Sequence, residues 1–415
     1  MGKEELRKTA LELVRNGKGI LAIDESPNSI QQKFENYNIS NTAENRRRFR
    51  NMLIETEGIE KYISGVILHT ETFEQRNEKN NLFVDSLLSR GIMPGIKLDQ
   101  GLVKIDYDDV KIKVQKKAKE MEENVPADVK SSVKNAGDKV VDFMKQHSEY
   151  AKAKVEEQER PLTEEEKAKN RVKYGDYIKR SSSDNAEERY HEQISKGLED
   201  LEKTLASQKY KKAKFAKWRS VFTITYRTPT FEAIDKNCDV LAKYAQLCLL
   251  HELVPIVEPE ILFEGQFTIE AHYRVLKYVL SLLVNKLNYY NVDLTCVLFK
   301  IGFVTDGKDR ASVDKNSTTM FTQEAIMSSI PPQVPGIVFL SGGHTYEDAI
   351  DYLKMISNLD LKMNLTYSYG RALTSHAMQK WNGNDNNMEE ARKAFIEDCQ
   401  ICSEASKQRS MVGQG

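Results

Sequence analysis

Leu294-Thr-Cys-Val-Leu-Phe-Lys300 is an apolar and β-branched run that stops abruptly on a lysine. The pattern predicts a strand buried on both faces, and the loop Ile301-Gly-Phe-Val-Thr-Asp-Gly307 follows it. A lysine at the mouth of such a strand has two readings. It marks the strand's exit to water, as most lysines do, or it sheds its proton through desolvation and serves as a nucleophilic amine. The rest of the chain chooses between them.

Outward from this stretch the same grammar repeats. Short apolar runs occur at 20–24, 65–68, 95–99, 215–222, 254–260, 294–300, 336–343 and 365–371. Helical patterns separate them at 4–15, 44–49 (behind an Asn41 or Thr42 cap), 83–88, 198–205, 231–251, 269–287, 346–356 and 374–406, with a short one at 323–327. Nearly every apolar run leads to a charged or polar residue: Asp24, Glu71, Lys97, Lys217, Glu258, Lys300, Ser341 and Arg371. Eight strands alternating with helices predict an α/β chain folded as a (β/α)8 TIM barrel, whose C-terminal strand ends converge on one mouth. A doubly wound sheet is the runner-up, but it would scatter these termini along a crevice. Asp24-Glu-Ser-Pro-Asn also lacks the glycine fingerprint of a dinucleotide fold.

The rhythm stops between about residues 104 and 196, where Lys, Glu, Asp, Ser and Ala dominate. Val125, Val129, Val133, Val140, Val141 and Met144 have helical spacing, Thr163-Glu-Glu-Glu166 has capping-box form, and Ser181-Ser-Ser-Asp184 reads as a loop. The expectation is one barrel domain over 1–415 interrupted by a charged helical insertion, its charges forming a solvated face. Across the 415 residues, Lys+Arg 61 against Asp+Glu 62 leaves a formal charge of -1, so no global field recruits nucleic acid or a membrane. Cys238, Cys248, Cys296, Cys399 and Cys402 mostly sit in apolar runs, as reduced thiols in a cytosolic compartment would. Cys399-Gln-Ile-Cys402 has redox spacing without a second pair and reads as packed thiols. No apolar run approaches membrane-spanning length, and the expectation is a soluble cytoplasmic protein.

A barrel mouth collecting these strand ends would hold three lysines, several carboxylates and two arginines. Metal ligation is poorly served, because His69 and His344 are isolated and no histidine pair has ligand spacing. Serine chemistry lacks its elbow, since Ser341 sits in Ser-Gly-Gly. Lysines suit another scheme. Two ammoniums held close depress one another's pKa and free an amine to form a Schiff base with a ketone, while neighbouring carboxylates shuttle protons. Ser341-Gly-Gly343, just before a helix, offers backbone N–H groups to a phosphate, and Gly370-Arg371 adds a guanidinium.

Gly19-Ile-Leu-Ala-Ile-Asp-Glu-Ser26, Gly65-Val-Ile-Leu68, Gly95-Ile-Lys-Leu-Asp99, Phe215-Ala-Lys-Trp-Arg219, Val254-Pro-Ile-Val-Glu-Pro-Glu-Ile-Leu262, Phe339-Leu-Ser-Gly-Gly343 and Tyr367-Ser-Tyr-Gly-Arg-Ala-Leu373 closely resemble the class I fructose-bisphosphate aldolases. The resemblance covers essentially the whole chain outside the insertion. It implies a lyase of glycolysis and gluconeogenesis that reversibly splits fructose 1,6-bisphosphate into dihydroxyacetone phosphate and glyceraldehyde 3-phosphate. Lys300 would form the Schiff base and Glu258 would serve as acid and base for the imine. Asp24 would take the C4 hydroxyl proton, and Lys217 would stabilise developing charge and lower the Lys300 pKa. Lys97, Ser26 and Ser29 would hold one phosphate, with Lys33 in the binding set. Ser341, Gly342, Gly370 and Arg371 would hold the other phosphate, Gly343 and Ser368 belong to the binding set, and Arg219 and Glu260 would support the site. The iminium is the electron sink, so no metal or organic cofactor is implied, and the family's usual assembly is a homotetramer.

Departures from the family pattern accompany the match. Gln32-Lys33 replaces a pair of bases and Gln100 replaces another. About 80 residues more than usual separate Lys97 from Lys217, the helix between the sixth and seventh strands looks shortened, and Gly415 ends the sequence where animal members have a terminal tyrosine. Two alternatives therefore stand beside the leading one. The first is an aldolase-fold scaffold that binds a protein partner, such as a cytoskeletal tail, through the insertion. The second is a Schiff-base aldolase for a different phosphorylated sugar.

Overall fold

The computed structural model describes residues 2–105, 192–225, 228–310, 314–359 and 361–407. The chain divides into one unit made of Met1–Lys104 with Glu192–Gly415 and a second made of Ile105–His191. Apart from Ile105, the second unit lies outside the described residues, and so do the expected helices from Val125 to Met144, the Thr163 capping box and the Ser181 loop.

In the first unit the strands are β1 (Gly19–Ile23), β2 (Ile63–Leu68), β3 (Met93–Lys97), β4 (Leu102–Lys104), β5 (Gln193–Ser195), β6 (Phe215–Phe222), β7 (Val254–Ile261), β8 (Leu298–Ile301), β9 (Gly336–Phe339) and β10 (Asn364–Tyr369). Eight of them close a parallel barrel in the order β1-β10-β9-β8-β7-β6-β3-β2, while β4 and β5 form a separate antiparallel pair. Helices connect the barrel strands, so the chain is the (β/α)8 TIM barrel that the strand count predicts. Along β1 both faces are buried, as a barrel strand between an interior and a ring of helices requires. Ile20 and Ala22 join Ile67, Phe215, Val254, Ile256, Leu298 and Val338 in one apolar cluster, which Leu6, Ala10 and Leu13 of the first helix also enter. Leu21 and Ile23 join the larger cluster.

Several local expectations change. Leu294–Cys296 is a short 3-10 turn in which the Asp293 carboxylate accepts from the Thr295 N–H at 3.1 Å, so the strand carrying Lys300 starts only at Leu298. The helix expected at 323–327 runs over Lys315–Ser329. Its Asn, Ser and Thr content hides it from periodicity. Buried Thr322 donates to the Thr318 carbonyl at 2.6 Å and accepts from the Val304 N–H at 2.9 Å, so a polar side chain fixes the helix where an apolar one would normally do so. The helix Pro27–Glu35, capped by Ser26 with proline at its first turn, was not anticipated. At the return of the insertion, Gln193–Ser195 is strand rather than helix, and the pair it forms with Leu102–Lys104 closes the neck of the excursion. No described helix is long and apolar enough to cross a membrane, and all five cysteines are buried and free.

Candidate active site

β6 runs past the end of β3, and this offset builds the centre of the mouth. Lys97, the last residue of β3, registers with Lys217, while β7 pairs with β6 along its whole length and brings Glu258 opposite Arg219. Asp24 follows β1 directly, and Lys300 sits near the end of β8 in register with Val338 of β9. Four side chains from four strands thus meet. Lys217 Nζ lies 2.7 Å from Asp24 Oδ2 and 3.1 Å from Glu258 Oε2, and Lys300 Nζ lies 3.1 Å from Glu258 Oε1. Asp99 extends the chain, 3.4 Å from Lys97 Nζ and 3.9 Å from Lys217 Nζ. Arg219 pairs with Glu260.

Lys217, Glu258 and Lys300 are exposed by only 3%, 4% and 5%. Isolated ions at that depth would each cost several kcal/mol, so the alternation of signs is what makes the cluster tolerable. Burial pushes Asp24 toward the neutral acid, yet Lys217, Lys300 and Lys97 outweigh it and hold the carboxyl well below the ordinary Asp range. Burial likewise raises Glu258, and Lys217, Lys300 and Arg219 override it to leave a net lowering. Burial lowers Lys217, but Asp24, Glu258 and Asp99 win and hold it well above the ordinary lysine range. Lys217 is therefore a fixed ammonium. Glu258 stands between it and Lys300, so the mutual repulsion on which the sequence reading relied is offset by a shared carboxylate.

On one side of this centre, Ser341-Gly-Gly343 turns through two left-handed residues, Gly342 at φ 52° and Gly343 at φ 90°, before the helix Tyr346–Ser357. A Cβ on Gly343 would stand 3.6 Å from Arg371 Nη2, which places the guanidinium against this turn. Arg371 opens the helix Arg371–Trp381 behind Gly370. Ser368 is 1% exposed, and its hydroxyl has no partner among the described residues.

On the other side, a cleft of about 600 Å³ is lined by Ser26, Ser29, His69, Lys97, Gln100 and Arg219, among others. Ser26 and Ser29 share a hydroxyl hydrogen bond of 2.8 Å at the start of the helix Pro27–Glu35. Lys33 is not among the residues that line this cleft. Its ammonium is 2.9 Å from Glu25 Oε1 and 3.2 Å from Thr374 Oγ1, and it lies over the Phe49 ring.

Two participants escaped the sequence reading. Asp99 carries a signal, because it follows Lys97 by two residues, the spacing that shares a strand face. Ser195 carries none. Its hydroxyl donates to the Arg219 carbonyl, while the Arg219 N–H donates to Asp99 Oδ2 at 3.3 Å, so residues at the two feet of the insertion continue the β6 edge that β3 leaves open. Among the described residues no group of three or more His, Cys, Asp or Glu side chains could hold a metal ion.

Comparison with known proteins adds to this geometry. Residues 5–124 and 178–414 match the family model described as glycolytic, fructose-bisphosphate aldolase class-I, and the unmatched 125–177 fall inside the stretch read as an insertion. The chain is 37% identical over 396 residues to a fructose-bisphosphate aldolase of Encephalitozoon cuniculi, covering 94% of this chain and 92% of that one. It is 31% identical over 407 residues to fructose-bisphosphate aldolase 2 of Caenorhabditis elegans, covering 97% and 89%. Among solved structures, Plasmodium falciparum fructose-bisphosphate aldolase in complex with TRAP and a small-molecule inhibitor superposes with a TM-score of 0.75 at 32% identity, over 99% of this chain and 96% of that one.

Proposed function

Because the chain belongs to the class I fructose-bisphosphate aldolase family, we propose that it splits fructose 1,6-bisphosphate through a Schiff base on Lys300. The observation that carries the reading is Glu258, 3.1 Å from both Lys300 Nζ and Lys217 Nζ, with Asp24 2.7 Å beyond Lys217. Glu258 takes a proton from Lys300 Nζ as the amine attacks the C2 ketone, and returns it so that the carbinolamine oxygen leaves as water. Asp24 takes the C4 hydroxyl proton, the C3–C4 bond breaks, and its electron pair flows into the iminium. Glyceraldehyde 3-phosphate departs. The enamine takes a proton at C3, and hydrolysis releases dihydroxyacetone phosphate and the free lysine. Lys217, pinned as an ammonium, stabilises negative charge developing on oxygen.

The barrel order supports a side for each of the two phosphates. C1 adjoins the ketone carbon, and Lys300 is on β8, beside β9. Ser341-Gly-Gly343 and Arg371 therefore take the C1 phosphate, with Ser368 and Gly370 shaping that side, and Ser26, Ser29 and Lys97 take the C6 phosphate. Arg219 and Glu260 hold the wall between them, and Lys33 braces Glu25. The resemblance further supports a glycolytic role, a cytoplasmic location and a homotetramer. A coupled assay of triose phosphate production from fructose 1,6-bisphosphate tests the activity, and light scattering tests the assembly. A folded protein without turnover, or a monomer, would overturn the respective reading. A protein partner is a second reading, supported by the TRAP complex of the Plasmodium enzyme.

A further inference from the structure

The C6 end, as proposed above, draws on adjacent strands of the barrel. β1 leads to Ser26 and Ser29, and β3 ends on Lys97. Between them in the barrel lies β2, hydrogen-bonded to both, and the first residue after β2 is His69. The His69 side chain lines the same cleft as those three residues. Its Nδ1 accepts the Glu71 N–H at 3.2 Å, so the ring proton resides on Nε2. Nε2 has no hydrogen-bond partner among the described residues. Burial disfavours a charged ring here. Arg50 and Lys97 add to that and outweigh the opposite pull of Glu71 and Asp24, so the imidazole is a neutral donor.

We infer that His69 is a further substrate-binding residue, donating from Nε2 to the C6 phosphate of the sugar bisphosphate in the cleft of Ser26, Ser29 and Lys97. The inference rests on the aldolase reading above. Of the cations around this cleft, Lys97 lies 3.4 Å from Asp99, Arg219 is paired with Glu260 and Lys33 is held by Glu25 and Thr374, while Gln100 is neutral. A neutral N–H alongside two hydroxyls adds an oriented contact without adding a further cation to the Lys97 and Arg219 already there. It also explains why a histidine too isolated to suggest metal binding stands at the end of a barrel strand, where conserved chemistry of this fold is carried.

The test compares fructose 1,6-bisphosphate with fructose 1-phosphate, which lacks the C6 phosphate. In His69→Phe the KM for the bisphosphate should rise by roughly 10-fold or more, the value of a hydrogen bond to a charged group, with kcat changed by less. Kinetics with fructose 1-phosphate should stay at wild-type values. His69→Gln, which keeps an N–H near the Nε2 position, should recover most of the loss. If His69→Phe does not fold, His69→Gln alone should retain bisphosphate discrimination close to wild type. Product binding gives an independent measure, since glyceraldehyde 3-phosphate carries the C6 phosphate and dihydroxyacetone phosphate does not. Only the former should bind more weakly to the variant. Equal changes for both sugars, or an unchanged KM for the bisphosphate, would overturn the role of His69. A wild-type protein that turns over neither sugar would instead overturn the aldolase reading beneath it.

Discussion

The two sides of the barrel mouth are built to hold anions by different means. Around β9 and β10 the recognition elements are a contiguous turn of backbone N–H groups, Ser341-Gly-Gly343, and one guanidinium laid against it. Around β1, β2 and β3 they are single side chains, Ser26, Ser29, His69 and Lys97, delivered separately by three strands. The first side is one local backbone feature, a turn through two left-handed glycines that runs into a twelve-residue helix. The second depends on the packing of independent elements. Between them lies a buried row of alternating charges that belongs to neither. The difference teaches that the side next to the nucleophile is fixed by local backbone chemistry, while the far side is where sequence variation can adjust the substrate.

The largest effect should come from removing the row's reactive end. Lys300→Met should abolish turnover of both fructose 1,6-bisphosphate and fructose 1-phosphate, because the covalent step is common to them. Residual activity on either would break the account. Glu258→Gln should lower kcat by roughly 10²–10⁴-fold, the range of general acid–base catalysis, again for both sugars. Equal kcat in wild type and variant would assign the proton transfers to another group.

Next come the two sides themselves. Arg371→Ala should raise KM by roughly 10- to 100-fold for both sugars, as expected for a lost charged hydrogen bond. Lys97→Ala should raise it comparably for the bisphosphate and far less for fructose 1-phosphate. If the two variants showed the same pattern, the assignment of phosphates to sides would be wrong.

Stability against pH gives a smaller effect that also separates regions. Burial above all pushes His272 down to about 4, and burial together with Arg371, against Asp348, does the same for His344 beside the β9 turn. For a folded-state pKa below the unfolded value, the unfolded chain binds the proton first. Stability is then complete above pH ~6.5 and declines as pH falls toward 4, by up to about 1.4 kcal/mol per pH unit for His272 and less for the more exposed His344. Thermal melts should show the decline, and His272→Asn should flatten it. An unchanged slope would remove His272 as its cause. Smallest of all, Ser195→Ala should cost only about 0.5–1.5 kcal/mol in stability, while a rise in KM would show that the β6 edge positions Arg219.

The sequence made the barrel legible because each strand is a short apolar run closed by a polar residue, and the row Asp24–Lys217–Glu258–Lys300 was legible because each member ends or lies within such a run. The Ser341-Gly-Gly343 turn was readable for the same local reason. The far side was not. Ser195 reaches Arg219 through an edge left open by the unequal lengths of β3 and β6, which no local pattern records. Nor does any local pattern record that Lys33 pairs with Glu25. The helix Lys315–Ser329 was underestimated because a buried threonine, rather than an apolar stripe, fixes it.

The most direct measurement is reductive trapping. The protein is incubated with dihydroxyacetone phosphate, reduced with borohydride, and digested for mass spectrometry. The account predicts one stable adduct, on Lys300, with Lys217 and Lys97 unmodified. An adduct on another lysine, or none from a folded protein, would contradict it.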